Sequence, residues 1–198
     1  MIPYYKKLDK KIPNLSVVRG KSYERYGIEE DGKFIGVDYG EFFLQDKYSK
    51  DIFKNLMSVI PEEKRKYFST SCMTVTHDIY PHIDDNINSQ VNIYVKVNGG
   101  VTTFHTKKVD NVKDIKEVIG RSGSEYHKDS TSNIHDFSDV KDICSFVPKV
   151  GDVYIINTSI LHSVRKDKSE RILVCIQSSL GIQEVIEIFN DQIDRIKL

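Results

Sequence analysis

Apolar residues change their spacing twice along the chain. Between Asp51 and Ile60 they fall at Ile52, Phe53, Leu56, Val59 and Ile60, one stripe of a helical period, and Pro61 stops it. This predicts a helix packed across the outside of a sheet. From residue 71 the texture becomes short runs rich in Val, Ile, Thr and Tyr, separated by polar turns. The candidates are Cys72 to Thr76, Val91 to Val97, Val101 to Thr106, Ile143 to Val147, Val153 to Asn157, Ser159 to Val164 and Arg171 to Ser178. Many short strands of this composition predict an antiparallel sandwich or barrel. Helical spacing returns over residues 183–196, where Val185, Ile186, Phe189, Ile193 and Ile196 share one face. That face predicts packing on the chain's own sheet, with a homodimer contact through the C-terminal helix as the alternative.

Upstream, Tyr26-Gly27-Ile28 and Phe34-Ile35-Gly36-Val37 flank the polar turn Glu29 to Gly32, the pattern of a hairpin or strand pair. Helix before, strands between and helix after make a mainly β protein with flanking helices, and the jelly roll is the architecture that fits. At 198 residues the chain predicts one domain. Residues 1–70 supply N-terminal strands and a helix, 71–180 a jelly-roll core, and 181–198 the last helix. Within the core the strand signal fails over about 107–142, which is polar and rich in Gly and Ser. A connection of that length is functional or irregular, and a lid over a site and a surface insertion both remain open.

Composition narrows the function classes. Lys and Arg total 29 against 29 Asp and Glu, without a long single-sign block, so no footprint for nucleic acid or a charged membrane is visible. No apolar run approaches the roughly 20 residues of a membrane span, and Met1 to Lys7 lacks the apolar core of a signal peptide. A soluble, cytoplasmic protein is expected. The three isolated cysteines, Cys72, Cys144 and Cys175, predict reduced core thiols rather than a zinc site or redox pair. The absence of alanine and the abundance of Ile, Lys, Asp and Asn are the usage of AT-rich genomes, viral ones among them.

Candidate chemistry centres on Tyr80-Pro81-His82-Ile83-Asp84-Asp85. In an extended segment residues two apart point to the same side, so His82 and Asp84 can reach one metal ion while Ile83 turns away. His127-Lys128-Asp129 repeats the pattern inside the Gly/Ser-rich insertion, where no strand would fix it. A third ligand is available at His162, on or beside a core strand, although a lone histidine there is as well read as a satisfied core imidazole. Arg171 opens the apolar strand Ile172 to Ile176. Burying that charge is costly unless a carboxylate meets it. A ligand carboxylate held bidentately is one reading; escape to water or pairing with Glu170 or Asp167 is the other.

Taken together, His82-x-Asp84, Tyr94, Gly99-Gly100-Val101-Thr102-Thr103-Phe104, Pro148-x-x-Gly151-Asp152, His162 and Arg171 resemble the Fe(II)/2-oxoglutarate-dependent dioxygenases, and most of all their prolyl 4-hydroxylase-like branch. The match runs from about Thr74 to Ser178. It implies a double-stranded β-helix of the cupin-like kind, with His82, Asp84 and His162 as Fe(II) ligands. Arg171 would hold the far carboxylate of 2-oxoglutarate, helped by the hydroxyls of Tyr94 and Thr102. The implied reaction hydroxylates a peptidyl (prolyl included) or small-molecule substrate and releases succinate and CO2; ascorbate is the accessory reductant such enzymes use. Halogenating relatives lack the carboxylate, so Asp84 favours hydroxylation. Arg171 is followed by Ile172-Leu173, not by the R-x-S of some relatives, and the tryptophan common near the basic residue of prolyl hydroxylases is missing, so the substrate stays open.

A cupin-like metal- or ligand-binding protein without turnover is the rival from another class, and Arg171 with Tyr94 argues against it. A hydrolytic zinc site is disfavoured because no glutamate is placed as general base.

Overall fold

The computed structural model describes residues 2–12, 15–30, 33–84, 86–108, 136–165 and 169–193. Among the described residues, eleven strands and two α-helices follow in the order β1 (Tyr5–Lys7), β2 (Val17–Glu30), β3 (Lys33–Leu44), α1 (Lys47–Ser58), β4 (Phe68–Val75), β5 (Ile79–His82), β6 (Ser89–Lys96), β7 (Val101–Lys107), β8 (Val140–Phe146), β9 (Val153–Asn157), β10 (His162–Arg165), β11 (Arg171–Ser178) and α2 (Ile182–Ile193). They form a seven-stranded sheet, β1-β9-β6-β11-β4-β3-β2, and a four-stranded sheet, β5-β10-β7-β8. Every pairing is antiparallel. From β4 onward the chain passes between the sheets, β4 large, β5 small, β6 large, β7 and β8 small, β9 large, β10 small, β11 large. This is the winding of a double-stranded β-helix.

Period-2 alternation builds two apolar layers from one large sheet. One face of it turns Val91, Ile93, Val153, Ile155, Val174 and Ile176 against Ile52 and Leu56 of α1 and Val185 and Phe189 of α2. The other turns Tyr94, Tyr154, Ile156, Leu173 and Cys175 into the barrel, where Phe104 and Val164 come from the small sheet. Buried on both sides, the central strands read as nearly continuous apolar runs. β1 adds to the β9 edge with Tyr5 opposite Ile156, and the Tyr5 ring meets Phe146 at 4.7 Å between centroids. Lys7 then pairs with Asp152 at 2.9 Å.

The helices and most strands lie where the pattern predicts, with instructive shifts. α1 begins at Lys47 because Asp46 caps it, accepting from the Ser49 amide at 2.7 Å, a signal set in polar residues outside the apolar stripe. The strand expected over Ser159 to Val164 starts only at His162. Thr158 and Ser159 spend their hydroxyls on the carbonyls of Ile87 (2.6 Å) and Asn88 (3.3 Å) and hold a turn. Cys72 and Cys175 are buried free thiols, whereas Cys144 is only half-buried, on the edge strand β8. α2 packs Val185 and Phe189 fully against the large sheet, as expected of its stripe. The interior of the 107–142 connection, with His127, Asp129 and His135, lies outside the described residues, as do Asp85 and the side chains of Ile193 and Ile196. No helix among the described residues is long and apolar enough to cross a membrane.

Candidate metal centre

β5 and β10 are neighbours in the small sheet, and their register sets His82 directly opposite His162. The two imidazole centroids are 4.5 Å apart. Each ring is fixed from behind. His82 Nδ1–H donates to the Tyr80 carbonyl at 2.6 Å and His162 Nδ1–H to the Ile160 carbonyl at 2.8 Å. Both bonds select the tautomer that leaves Nε2 as the ligand atom. Asp84 lies just beyond the end of β5, not within it, and its amide donates to the Thr158 carbonyl at 3.1 Å. Its Oδ1 comes within 3.1 Å of His82 Nε2. One ligand atom from each of His82, Asp84 and His162 lies within 4.8 Å of the other two, so the three could hold a metal ion.

The electrostatics of the three side chains follow from this crowding. Burial pushes His82 toward its neutral form, but the Asp84 carboxylate and the Tyr80 carbonyl outweigh it and raise its pKa. Burial also opposes the Asp84 charge, yet the two imidazoles pull its pKa below the ordinary carboxylate value. His162 has no carboxylate so close. Burial and the neighbouring His82 charge drive it down to about 4. The anionic, two-nitrogen donor set suits Fe(II).

The pocket behind the triad holds about 430 Å³ of space between atoms, part of it open to solvent. Its far end is polar. Arg171, 2% exposed, enters at the start of β11 opposite Val75, and its Nη1 donates to Thr102 Oγ1 at 3.2 Å. Its Cζ lies 5.7 Å from the centre of the Tyr94 ring. Tyr94 is 1% exposed and bonds to Thr102 and Asn92; burial lifts its phenol to about 12 against the pull of Arg171. Glu170, weighed as a partner for Arg171, instead meets Lys96 at 2.7 Å. All six expected site residues, His82, Asp84, His162, Arg171, Tyr94 and Thr102, therefore line one pocket.

Three further polar side chains of the pocket escape sequence reasoning. Gln90 and Asn92 share the inward face of β6 with Tyr94, and period-2 counting back from Tyr94 would have found them. Tyr39, on β3 opposite Met73, carries no motif. It lies close enough for Asp84 to add to the effect of burial in raising its pKa. His105 turns away from Phe104, as alternation requires, and forms a network outside the pocket. Its Nε2 is 2.7 Å from Ser163 Oγ and its Nδ1 2.9 Å from Asp142 Oδ1. The trio has the residue types of a hydrolytic triad, but Ser163 is 0% exposed and no substrate can reach it. The network ties β7, β8 and β10 together behind His162.

The fold and site thus define a double-stranded β-helix protein with a candidate two-histidine, one-carboxylate centre. No family model matches the chain, and no curated protein matches it. Solved structures do, at low similarity. The ribosomal oxygenase YcfD of E. coli is 11% identical with a TM-score of 0.42, over 90% of this chain and 47% of that one. HygX from Streptomyces hygroscopicus, with nickel and 2-oxoglutarate bound, is 15% identical with a TM-score of 0.32, over 56% of each chain. The vicilin of Solanum melongena is 12% identical with a TM-score of 0.32, over 60% of this chain and 25% of that one. The chain spans about half the length of YcfD. At such distances no activity passes from these proteins to this one.

Proposed function

We propose that the protein is an Fe(II)- and 2-oxoglutarate-dependent oxygenase that hydroxylates a peptidyl or small-molecule substrate, releasing succinate and CO2. One observation carries the reading. A three-point metal site and a buried guanidinium flanked by two hydroxyls line the same pocket. A barrel that only stores metal has no use for the guanidinium, and a hydrolytic zinc site needs a general base instead.

The residues divide the work. His82, Asp84 and His162 would hold the ion on one face and leave the rest of its coordination sphere open, as two-histidine, one-carboxylate oxygenase sites do. Bound there, the ion supplies activation of O2 coupled to oxidative decarboxylation of the co-substrate. Arg171 would grip the distal carboxylate through charge-assisted hydrogen bonds, with the Tyr94 and Thr102 hydroxyls beside it. Leu173, Ile156 and Val164 give the same pocket an apolar lining. The prolyl hydroxylase-like motif order favours a peptidyl substrate, prolyl among the candidates, ahead of a free amino acid or other metabolite.

The direct test measures 2-oxoglutarate binding to the protein with Fe(II) under anaerobic conditions, then succinate formation on admitting O2. Metal-dependent binding and succinate above background are expected. Neither appearing, with or without added peptides and amino acids, would leave the non-catalytic reading.

A further inference from the structure

The polar wall of the pocket runs on from Arg171 as far as Gln90. Gln90 Nε2 donates to Asn92 Oδ1 at 2.5 Å and reaches Cys175 Sγ at 3.4 Å. Asn92 bonds to the Tyr94 hydroxyl, Tyr94 to Thr102, and Thr102 accepts from Arg171. The result is one hydrogen-bonded row from an amide to a guanidinium. Gln90 belongs to the metal end of the strand. Thr158, which accepts the Asp84 amide, donates its own amide to Asn88, two residues before Gln90.

Gln90 is 3% exposed, and its Oε1 is buried with no hydrogen-bond partner among the described residues. An unmatched buried acceptor is destabilising, so a site that retains one implies a donor from outside. The co-substrate cannot be that donor, because ionised 2-oxoglutarate carries acceptors only. We infer that Gln90 reads the substrate to be oxidised, accepting a hydrogen bond from an N–H or O–H group on the portion held beside the metal. The substrate class is then amide-, amine- or hydroxyl-bearing. A hydrocarbon chain, or a group offering only acceptors, leaves Oε1 unmatched. This rests on the co-substrate reading above.

The test uses acetamide and methyl acetate, alike in size and differing in the N–H. Mn(II) replaces Fe(II), 2-oxoglutarate is saturating, and paramagnetic relaxation of the probe's methyl protons reports occupancy next to the metal. In the wild type acetamide should be favoured about fivefold, the worth of one neutral hydrogen bond. Gln90→Leu should make the two probes equal while binding 2-oxoglutarate as the wild type does. Equal relaxation in the wild type, as expected if Oε1 serves only a metal-bound water, overturns the inference. A preference that survives in Gln90→Leu does so too, as does loss of 2-oxoglutarate binding in that variant, which would put Gln90 in the co-substrate's own site. If 2-oxoglutarate binds the wild type and no probe preference appears, this inference falls alone. If no 2-oxoglutarate binds at all, the co-substrate reading falls and takes this one with it.

Discussion

Arg171→Met would separate the proposed co-substrate clamp from the proposed metal centre. Methionine keeps an unbranched side chain in the space and removes the charge. In the wild type the guanidinium is 2% exposed, donates to the Thr102 hydroxyl at 3.2 Å and lies 5.7 Å from the centre of the Tyr94 ring. A carboxylate arriving there is taken out of water almost completely, so screening by solvent is slight. Truncating one partner of such a buried charge pair costs about 2–5 kcal/mol, which at 1.4 kcal/mol per decade is roughly 30- to 4,000-fold in affinity. Arg171 is not among the proposed metal ligands, and independent sites add to within about 0.5 kcal/mol, so Mn(II) affinity should move by about twofold at most. Anaerobic calorimetry reads both, with Mn(II) titrated first and 2-oxoglutarate then titrated into the loaded protein. The reasoning is refuted if 2-oxoglutarate affinity stays close to wild type, or if the metal is lost together with it, since Arg171 would then be a structural residue of the barrel.

Asp84→Ala should lower Mn(II) affinity by more than the roughly 10- to 100-fold typical of losing an outer hydrogen-bond partner, read by the same metal titration, with the fold retained by circular dichroism. Phe189→Ala, on α2 and fully buried against the large sheet, should destabilise by about 3–5 kcal/mol in urea unfolding and leave metal affinity unchanged. Gly151 has φ +81°, and an added Cβ would lie 2.6 Å from the Ile12 carbonyl oxygen, so Gly151→Ala should cost more than about 1 kcal/mol; an unchanged urea midpoint would mean that the N-terminal segment yields. Asp152→Asn should cost about 1 kcal/mol at neutral pH, since Lys7 is part-exposed and its charge partly screened. Burial disfavours the Asp152 charge, but Lys7 and the Lys149 amide hold its pKa below 3.8, so its contribution is present above that value and lost as pH falls through the depressed pKa. Bonding to Asp152 raises Lys7 above 10.5, so that side is complete below 10.5 and lost as pH climbs past the raised value. The melting-temperature gap between wild type and variant should be flat between these limits and close outside them.

How much of this was legible depended on whether a residue's partners are local. Ile52, Leu56 and Ile60 announce a helix because their spacing alone fixes a face, and all three are buried. His82-x-Asp84 was legible for the same reason, as a two-residue spacing. His162 and Arg171 are distant from that pair, and only the order of motifs along the chain joined them to it. Tyr39 could not be found, because nothing near Val37 or Gly40 says that β3 extends the large sheet beside β4. β1 was missed likewise: three residues carry too little pattern, and what makes them a strand is the free edge of β9, about 150 positions away. Strand alternation sets His105 opposite to Phe104, but its bonds to Ser163 and Asp142 depend on the β7 register with β10 and β8.

β6 shows why the site could be hidden in a run that looks like core. Ser89 to Lys96 reads Ser-Gln-Val-Asn-Ile-Tyr-Val-Lys, and Val91 and Ile93 are 0% and 1% exposed beneath the helices. That face alone is enough to fix the strand in the large sheet, because a one-residue slip would bring Gln90 and Asn92 under α1 and α2. The opposite face is then free to be polar where an ordinary barrel would pack Leu or Val. It is buried just as deeply, with Gln90 and Asn92 each 3% exposed. Buried amides at alternate positions weaken a core, and replacing them by apolar residues of similar size should stabilise the fold while emptying the row that links the metal end of the pocket to Arg171. A strand secured by one face and polar on the other is better explained by a ligand than by packing, and the unmatched acceptor on Gln90 shows at which end of the row that ligand's donor is due.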